Sequence, residues 1–123
     1  VRLAAGPSPD VLIPVPLHRR RLVERGYNQA LEIGRVVAQE LALPLDPGCC
    51  ERIAATRPQA GLDESARRRN IRGAFTASRP LTWGRVAILD DVVTTGSTVA
   101  ELARVLIGAG VGQVDVWAVA RTP

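Results

Sequence analysis

The segment VAILDDVVTTGST, residues Val86–Thr98, decides the fold of this 123-residue chain. Its beginning overlaps the apolar run Arg85–Leu89, which predicts a buried strand. Asp90 and Asp91 follow, then a short polar loop, and Ser97–Ala109 has apolar residues at helical spacing. A buried strand joined to an amphipathic helix by a polar loop is the repeating unit of an α/β sheet.

The segments on either side extend this alternation of strands and helices. Asp10–Pro16 is a short apolar run that predicts a strand, Gly48–Ile53 is a candidate second strand, and Val114–Val119 predicts a final one. Helical spacing begins after Asn28, which is a suitable N-cap residue. The order of elements predicts an open, mainly parallel sheet flanked by helices.

Two segments show neither the alternation typical of a strand nor the spacing typical of a helix, and both are predicted as loops. His18–Gly26 is a basic stretch with three consecutive arginines. Ala54–Gly73 is rich in charged and polar residues, and a loop of that length in a small domain is usually an active-site lid or disordered.

The composition predicts one domain covering residues 1–123, with a single aliphatic core. Apolar residues make up 46% of the chain and aromatic residues only 3%, which suits a parallel sheet covered by helices. The net charge is +4 and every basic residue is Arg. This favours an anionic ligand, such as a nucleotide, a sugar diphosphate or a nucleic acid backbone, without choosing among them.

The two cysteines, Cys49 and Cys50, are adjacent in the sequence. Neighbours cannot form an unstrained disulfide, and without a CxxC pair we expect no zinc site, so both are predicted to be buried filler. These features are typical of a reduced, cytoplasmic protein, and no apolar run reaches the roughly 18 residues of a membrane span. The start at Val1 suggests a piece of a longer protein.

The polar loop after the acids has the chemistry of an oxyanion site. It contains one glycine among four hydroxyl residues, Thr94, Thr95, Gly96, Ser97 and Thr98. Glycine permits a close backbone approach, the hydroxyls can donate, and the start of the following helix offers unpaired N–H groups.

The two carboxylates before the loop would repel a phosphate unless they face another group. Ribose hydroxyls, or a Mg²⁺ ion shared with a diphosphate, would give Asp90 and Asp91 such a partner. The GxxxxGK and GxGxxG motifs are absent, which excludes a Walker loop and a dinucleotide fingerprint. The alternative is a polar turn in which Thr95 or Ser97 only caps the helix.

The whole segment Val86–Thr98 resembles the thirteen-residue signature of type I phosphoribosyltransferases. The resemblance implies that Asp90 and Asp91 contact the ribose hydroxyls of phosphoribosyl diphosphate (PRPP) and share its Mg²⁺. It implies that the loop, Thr94 to Thr98, holds the 5-phosphate.

Two further segments are similar to the competence protein F family, also called amidophosphoribosyltransferase-like proteins. They are IPVPLHRRRLVERGYNQA, Ile13–Ala30, and TRPQAGLDESARRRNIRGAF, Thr56–Phe75. The resemblance therefore runs from about Val11 to Arg121. Many members carry a cysteine-rich, zinc-ribbon-like segment before this domain, and this sequence contains nothing similar.

The resemblance also suggests roles for residues outside the signature. In such enzymes the loop after the first strand holds the diphosphate, and a flexible loop closes over PRPP. The implied diphosphate residues are Leu17, His18, Arg19 and Arg20. The implied residues of the flexible loop are Gln59, Arg67 and Asn70.

Three functions remain open on the sequence. The first is a phosphoribosyltransferase that uses PRPP with Mg²⁺ and an unknown acceptor. The second is a competence-type DNA-uptake factor that contacts single-stranded DNA, and the third is a sensor of PRPP or a ribose 5-phosphate nucleotide without turnover. A homodimer is common in this fold and is an expectation here.

Overall fold

A computed structural model describes residues 8–53, 71–93 and 96–121. It contains five strands and three helices in this part of the chain. In order they are β1 (Val11–Pro14), α1 (Arg19–Arg25), α2 (Gln29–Leu41), β2 (Cys50–Arg52), β3 (Phe75–Ala77), β4 (Arg85–Val93), α3 (Ser97–Gly108) and β5 (Gln113–Arg121).

The main sheet is parallel throughout, with strand order β1-β4-β5. β4 is central: Val86 pairs with Val11 of β1 on one side and with Val114 of β5 on the other. The predicted α/β architecture, an open parallel sheet flanked by helices, is therefore confirmed. Among the described residues, no helix is long and apolar enough to cross a bilayer.

The helices cover opposite faces of this sheet because strand side chains alternate between faces. On one face, Leu12 and Ala87 form a small cluster with Ala38 of α2. On the other, Val86 and Ile88 belong to the larger core that includes residues of α3. The aliphatic core that the composition predicts thus consists of two layers, one on each side of β4.

The second sheet was not predicted. β2 and β3 pair antiparallel, with Arg52 opposite Phe75, and do not join the main sheet. The strand predicted within Gly48–Ile53 is confirmed as β2, but its partner β3 was missed. Cys49 and Cys50 at its start are buried, 0% and 3% exposed, and free, as expected of filler residues.

The basic segment His18–Gly26, predicted as a loop, is instead the helix α1 with its caps. His18 Nδ1 accepts a hydrogen bond from the Arg20 N–H, and Gly26 ends the helix with a left-handed backbone. None of its residues is buried, so the helix has no apolar face that periodicity could reveal. The prediction failed because the helix depends on its caps and on arginine, a good helix former. The Asn28 cap of α2, in contrast, is confirmed by its bond from Leu31 N–H.

A buried carboxylate connects the small sheet to α3. Glu101 is 9% exposed and accepts a hydrogen bond of 3.1 Å from the backbone N–H of Gly73, just before β3. Arg104, one turn further along α3, forms a 2.6 Å ion pair with it. Glu101 thereby joins the small sheet to the helix that follows the acidic strand.

The turn after α3 makes a close backbone contact that requires glycine. Gly110 has φ +124°, and a Cβ there would lie 2.3 Å from the carbonyl oxygen of Leu81.

We expect Gly110→Ala to lower the free energy of unfolding by about 2–4 kcal/mol because strain and overlap add. Gly108→Ala is the control, since its Cβ would meet nothing within 4 Å. It should change stability by less than about 1 kcal/mol in urea denaturation, and equal losses in both variants would contradict the overlap argument.

Candidate functional site

The central feature of the site is the carboxyl end of β4. The strand continues four residues past Leu89, so Asp90 and Asp91 belong to the strand itself and not to the loop. Asp90 pairs with Ala118 of β5. The two acids are thus held by the sheet in the position where parallel α/β sheets bind ligands.

The beginning of α3 lies against Asp90. Gly96 is its N-cap residue, with φ +84° and no side chain to cap the helix. Its carbonyl accepts the N–H of Ala100, which starts the helical ladder, so the N–H groups before that point have no partner within the helix. The alternative that Ser97 acts as the N-cap is wrong, since Ser97 is the first residue of the helix proper.

A small pocket of about 30 Å³, open to solvent, joins these two features. Its lining residues are Asp90, Val92, Val93, Gly96, Ser97, Thr98 and Val99. Small-molecule sites typically measure roughly 300–1,000 Å³, so this pocket is far too small to enclose a whole ligand and offers room for one small group, such as part of a phosphate. A larger ligand would extend from it over the open end of the sheet.

Burial makes the Asp90 carboxyl group a weaker acid than usual. Removal from water, followed by the hydrogen-bonded neighbour Asp91, raises the pKa of Asp90 from 3.8 to about 7. The Arg52 guanidinium acts in the opposite direction. The Asp90 carboxylate already accepts the Asp91 N–H at 2.9 Å, and Asp91 accepts the Val92 N–H at 2.8 Å. The site therefore favours a cation or a hydrogen-bond donor next to Asp90.

The predicted site residues do not all lie together in the structure. Asp90, Gly96, Ser97 and Thr98 line one pocket, whereas Asp91 is not among the described residues that line it. Thr94, Thr95, Gln59, Arg67 and Asn70 lie outside the described residues.

The predicted diphosphate residues lie at the carboxyl end of β1. Leu17 lines an open groove of about 340 Å³ beside α1, together with Cys50 and Glu51 of β2. His18 caps α1, and Arg19 and Arg20 are exposed on that helix. The structure thus places these residues beside β1, outside the lining of the pocket that contains Asp90.

Sequence reasoning missed one arginine that interacts electrostatically with Asp90, namely Arg52 of β2. Arg52 of β2 and Arg21 of α1 are both partly buried, unlike Arg19 and Arg20. Burial lowers the pKa of Arg52, the charge of Arg21 lowers it further, and Asp90 partly offsets the effect. No local sequence signal identifies Arg52, because its position near Asp90 depends on the packing of the second sheet.

Comparison with curated proteins gives relatives over nearly the whole chain. Competence protein F of Haemophilus influenzae is 38% identical over 116 residues, 92% of this chain and 51% of the relative. DNA utilization protein YhgH of Salmonella typhi is 40% identical over 116 residues, 94% of this chain and 51% of the relative. The chain is a homologue of competence protein F. It spans about half the length of these curated relatives, and no protein-family model matches it.

Solved structures support the same fold for this competence protein F homologue. The allosteric regulatory enzyme of purine biosynthesis matches with a TM-score of 0.57 and 22% identity, over 94% of this chain and 22% of that one. The glutamine PRPP amidotransferase of B. subtilis matches with a TM-score of 0.56 and 22% identity, over 90% of this chain and 22% of that one. The domain has the type I phosphoribosyltransferase fold.

The raised pKa of Asp90 predicts a stability that depends on pH. Between about pH 4 and pH 7 the folded state keeps a proton that the unfolded state has released, so the free energy of unfolding falls as pH rises. Asp90→Asn removes the charge. Without divalent metal it should be more stable than the unmodified chain by about 1–3 kcal/mol at about pH 8, and equally stable near pH 4.

The measurement is urea denaturation at the two pH values in the presence of a chelator. Glu40 is an exposed carboxylate of α2, and Glu40→Gln is the control. Its free energy of unfolding should differ from that of the unmodified chain by the same amount at both pH values. If the free energies of unfolding of Asp90→Asn and the unmodified chain differed by the same amount at both pH values, the raised pKa assigned to Asp90 would be contradicted.

Proposed function

We propose that this domain binds PRPP at the carboxyl end of β4, with the 5-phosphate in the pocket at the start of α3. The observation that carries the proposal is that Asp90 lines the same small pocket as Gly96, Ser97 and Thr98. A carboxylate and a helix N-terminus prefer ligands of opposite polarity. A sugar phosphate satisfies both, because its hydroxyls donate to the carboxylate while its phosphate accepts from the N–H groups.

The donor set fits the Mg²⁺ ion that this ligand requires. The described residues contain no cluster of three or more acidic, histidine or cysteine side chains that could enclose a metal. Two adjacent carboxylates with ligand oxygens are sufficient, since Mg²⁺ is commonly held by one or two carboxylates plus phosphates. Asp90 and Asp91 would hold the ion, which would supply charge neutralisation for the diphosphate.

The proposed reaction is phosphoribosyl transfer to an acceptor that the site does not name. The bond between ribose C1 and the diphosphate oxygen breaks, and C1 forms a new bond to the acceptor. The protein would orient the ribose and stabilise the developing charges, which is work of positioning and electrostatics. If no acceptor is turned over, the same site would act as a PRPP or nucleotide sensor in the cytoplasm.

Calorimetry with PRPP and Mg²⁺ tests the proposal. We expect the unmodified chain to bind with a dissociation constant in the micromolar range, about −8 kcal/mol. Asp90→Asn combined with Asp91→Asn should weaken binding by at least about a hundredfold, because the variant loses its contacts to ribose and metal. Glu40→Gln should bind like the unmodified chain. Absence of binding by the unmodified chain would refute the proposal.

A second candidate function is contact with single-stranded DNA. The relatives' names, competence protein and DNA utilization protein, favour it. The structure also exposes Arg19 and Arg20 at the start of α1, and Tyr27, 49% exposed, follows the end of the same short helix. Arginine with an accessible ring is the combination that binds phosphates and stacks on bases.

A salt titration with a fluorescent oligonucleotide tests DNA contact. Each phosphate neutralised on a single strand contributes a slope of about −0.7 in a plot of log affinity against log salt. The double change Arg19→Gln and Arg20→Gln should therefore reduce the slope by about 1.4. Arg35→Gln, on the exposed side of α2, is the control. No measurable affinity at low salt would exclude direct DNA contact by this domain.

A further inference from the structure

An open groove lies beside α1, at the carboxyl end of β1. Its volume of about 340 Å³ falls within the roughly 300–1,000 Å³ that is usual for small-molecule sites. Three leucines and three prolines make up half of its described lining: Leu17, Leu22, Leu31, Pro14, Pro16 and Pro47. The groove can therefore bury the apolar part of a ligand.

The walls of this groove are held in place by contacts within the domain. Asn28, the N-cap residue of α2, donates from Nδ2 to the Val15 carbonyl at 3.1 Å and accepts the Leu31 N–H at 3.3 Å. This side chain joins the end of β1 to the start of α2. On the β2 side, Cys50 is buried in the main core. Binding to walls that are already fixed has a low entropic cost.

Two carboxylates line the groove, and none of the described residues that line it is basic. Glu32 lies in the first turn of α2, and Glu51 lies in β2. Within the described part of the chain, neither carboxylate has an ion-pair or hydrogen-bond partner, whereas Asp46, Asp115 and Glu101 each pair with an arginine. The groove is thus locally negative in a chain of net charge +4, which favours a cationic ligand over an anionic one.

The aromatic ring of Tyr27 favours the same ligand charge as the carboxylates. Tyr27 follows α1, lines the groove and is 49% exposed. The face of a tyrosine ring attracts an ammonium group. Helix electrostatics explains Glu32 alone, because Glu51 lies on a strand and has no helix dipole to complement. A cationic ligand accounts for all three side chains.

We propose that this groove binds an organic amine, in which an ammonium group is attached to an aromatic or aliphatic body. Glu32, Glu51 and Tyr27 attract the ammonium group, and the leucines and prolines bury the apolar body. The site is separate from the phosphate pocket at the start of α3. It does not depend on PRPP, whose phosphates the same carboxylates would repel.

The test compares two probes of the same size and shape that differ in charge. 2-Phenylethylamine carries an ammonium group at neutral pH, whereas 2-phenylethanol has a neutral hydroxyl in its place. Each is titrated into the full ¹⁵N-labelled chain and followed by the shifts of the backbone amides. We expect the amine to bind with a dissociation constant of about 1 mM or lower, with shifts concentrated at the groove. The alcohol should bind at least about fivefold more weakly, because it lacks the charge that two carboxylates and a ring attract.

A pair of double variants shows whether the groove carboxylates cause this preference. Glu32→Gln combined with Glu51→Gln should bring the affinity for the amine to within about twofold of that for the alcohol, which should itself stay unchanged. Glu24→Gln combined with Glu40→Gln is the matched control, since it changes the net charge equally at two exposed glutamates outside the groove lining. All four glutamates are exposed, so folding should survive in both variants.

Each outcome bears on the proposal directly. Loss of the preference for the amine in the groove variant alone supports it. Equal affinity of the unmodified chain for the two probes, equal effects of the two double variants, or shifts located away from the groove would overturn it. Absence of amine binding up to about 10 mM would overturn it as well.

Discussion

The hydrogen bonding of β4 on both sides is the constraint on which the rest of the molecule depends. β1 pairs with one edge and β5 with the other, and the residues between, Val86 to Leu89, are buried on both faces. A strand in this position cannot shift its register without exposing its core side chains or losing two ladders. The remaining residues of β4, including Asp90 and Asp91, are therefore fixed at the open end of the sheet.

Because the sheet fixes the end of β4, the Asp90 carboxylate remains in an electrostatically unfavourable environment. Asp90 is partly withdrawn from water and sits beside a second acid, which raises its pKa to about 7. Folding alone gains nothing from this arrangement, since an apolar or amide residue would fit with less electrostatic cost. An unfavourable electrostatic environment of this kind is typical of binding sites, where the ligand supplies the compensating partner.

The second sheet has a related role in this interpretation. β2 and β3 are only three residues long each, too short for independent stability, and they depend on packing against the rest of the domain. Glu101 connects the segment before β3 to α3, and the buried cysteines anchor β2 in the core. These contacts fix β2, and with it Arg52, whose guanidinium lies over the Phe75 ring.

The sequence by itself determined the elements with strong local signals. The apolar run of β4 predicted a buried strand, the residues after Asn28 predicted α2, and the loop chemistry after Asp91 predicted an anion site. The type I phosphoribosyltransferase fold came from the resemblance of Val86–Thr98 to a known signature and is confirmed. These features were accessible because side-chain periodicity, capping and turn chemistry are encoded within a few residues.

Only the tertiary structure decided where the charged groups meet. α1 was mistaken for a loop because its caps, not an apolar face, define it, and β3 was missed because three residues carry too weak a pattern. The position of Arg52 relative to Asp90 and Arg21 depends on how the small sheet packs against the main one. Contacts between residues far apart in sequence leave no periodic signal, so the sequence could name the acids but not the electrostatic link between Arg52 and Asp90.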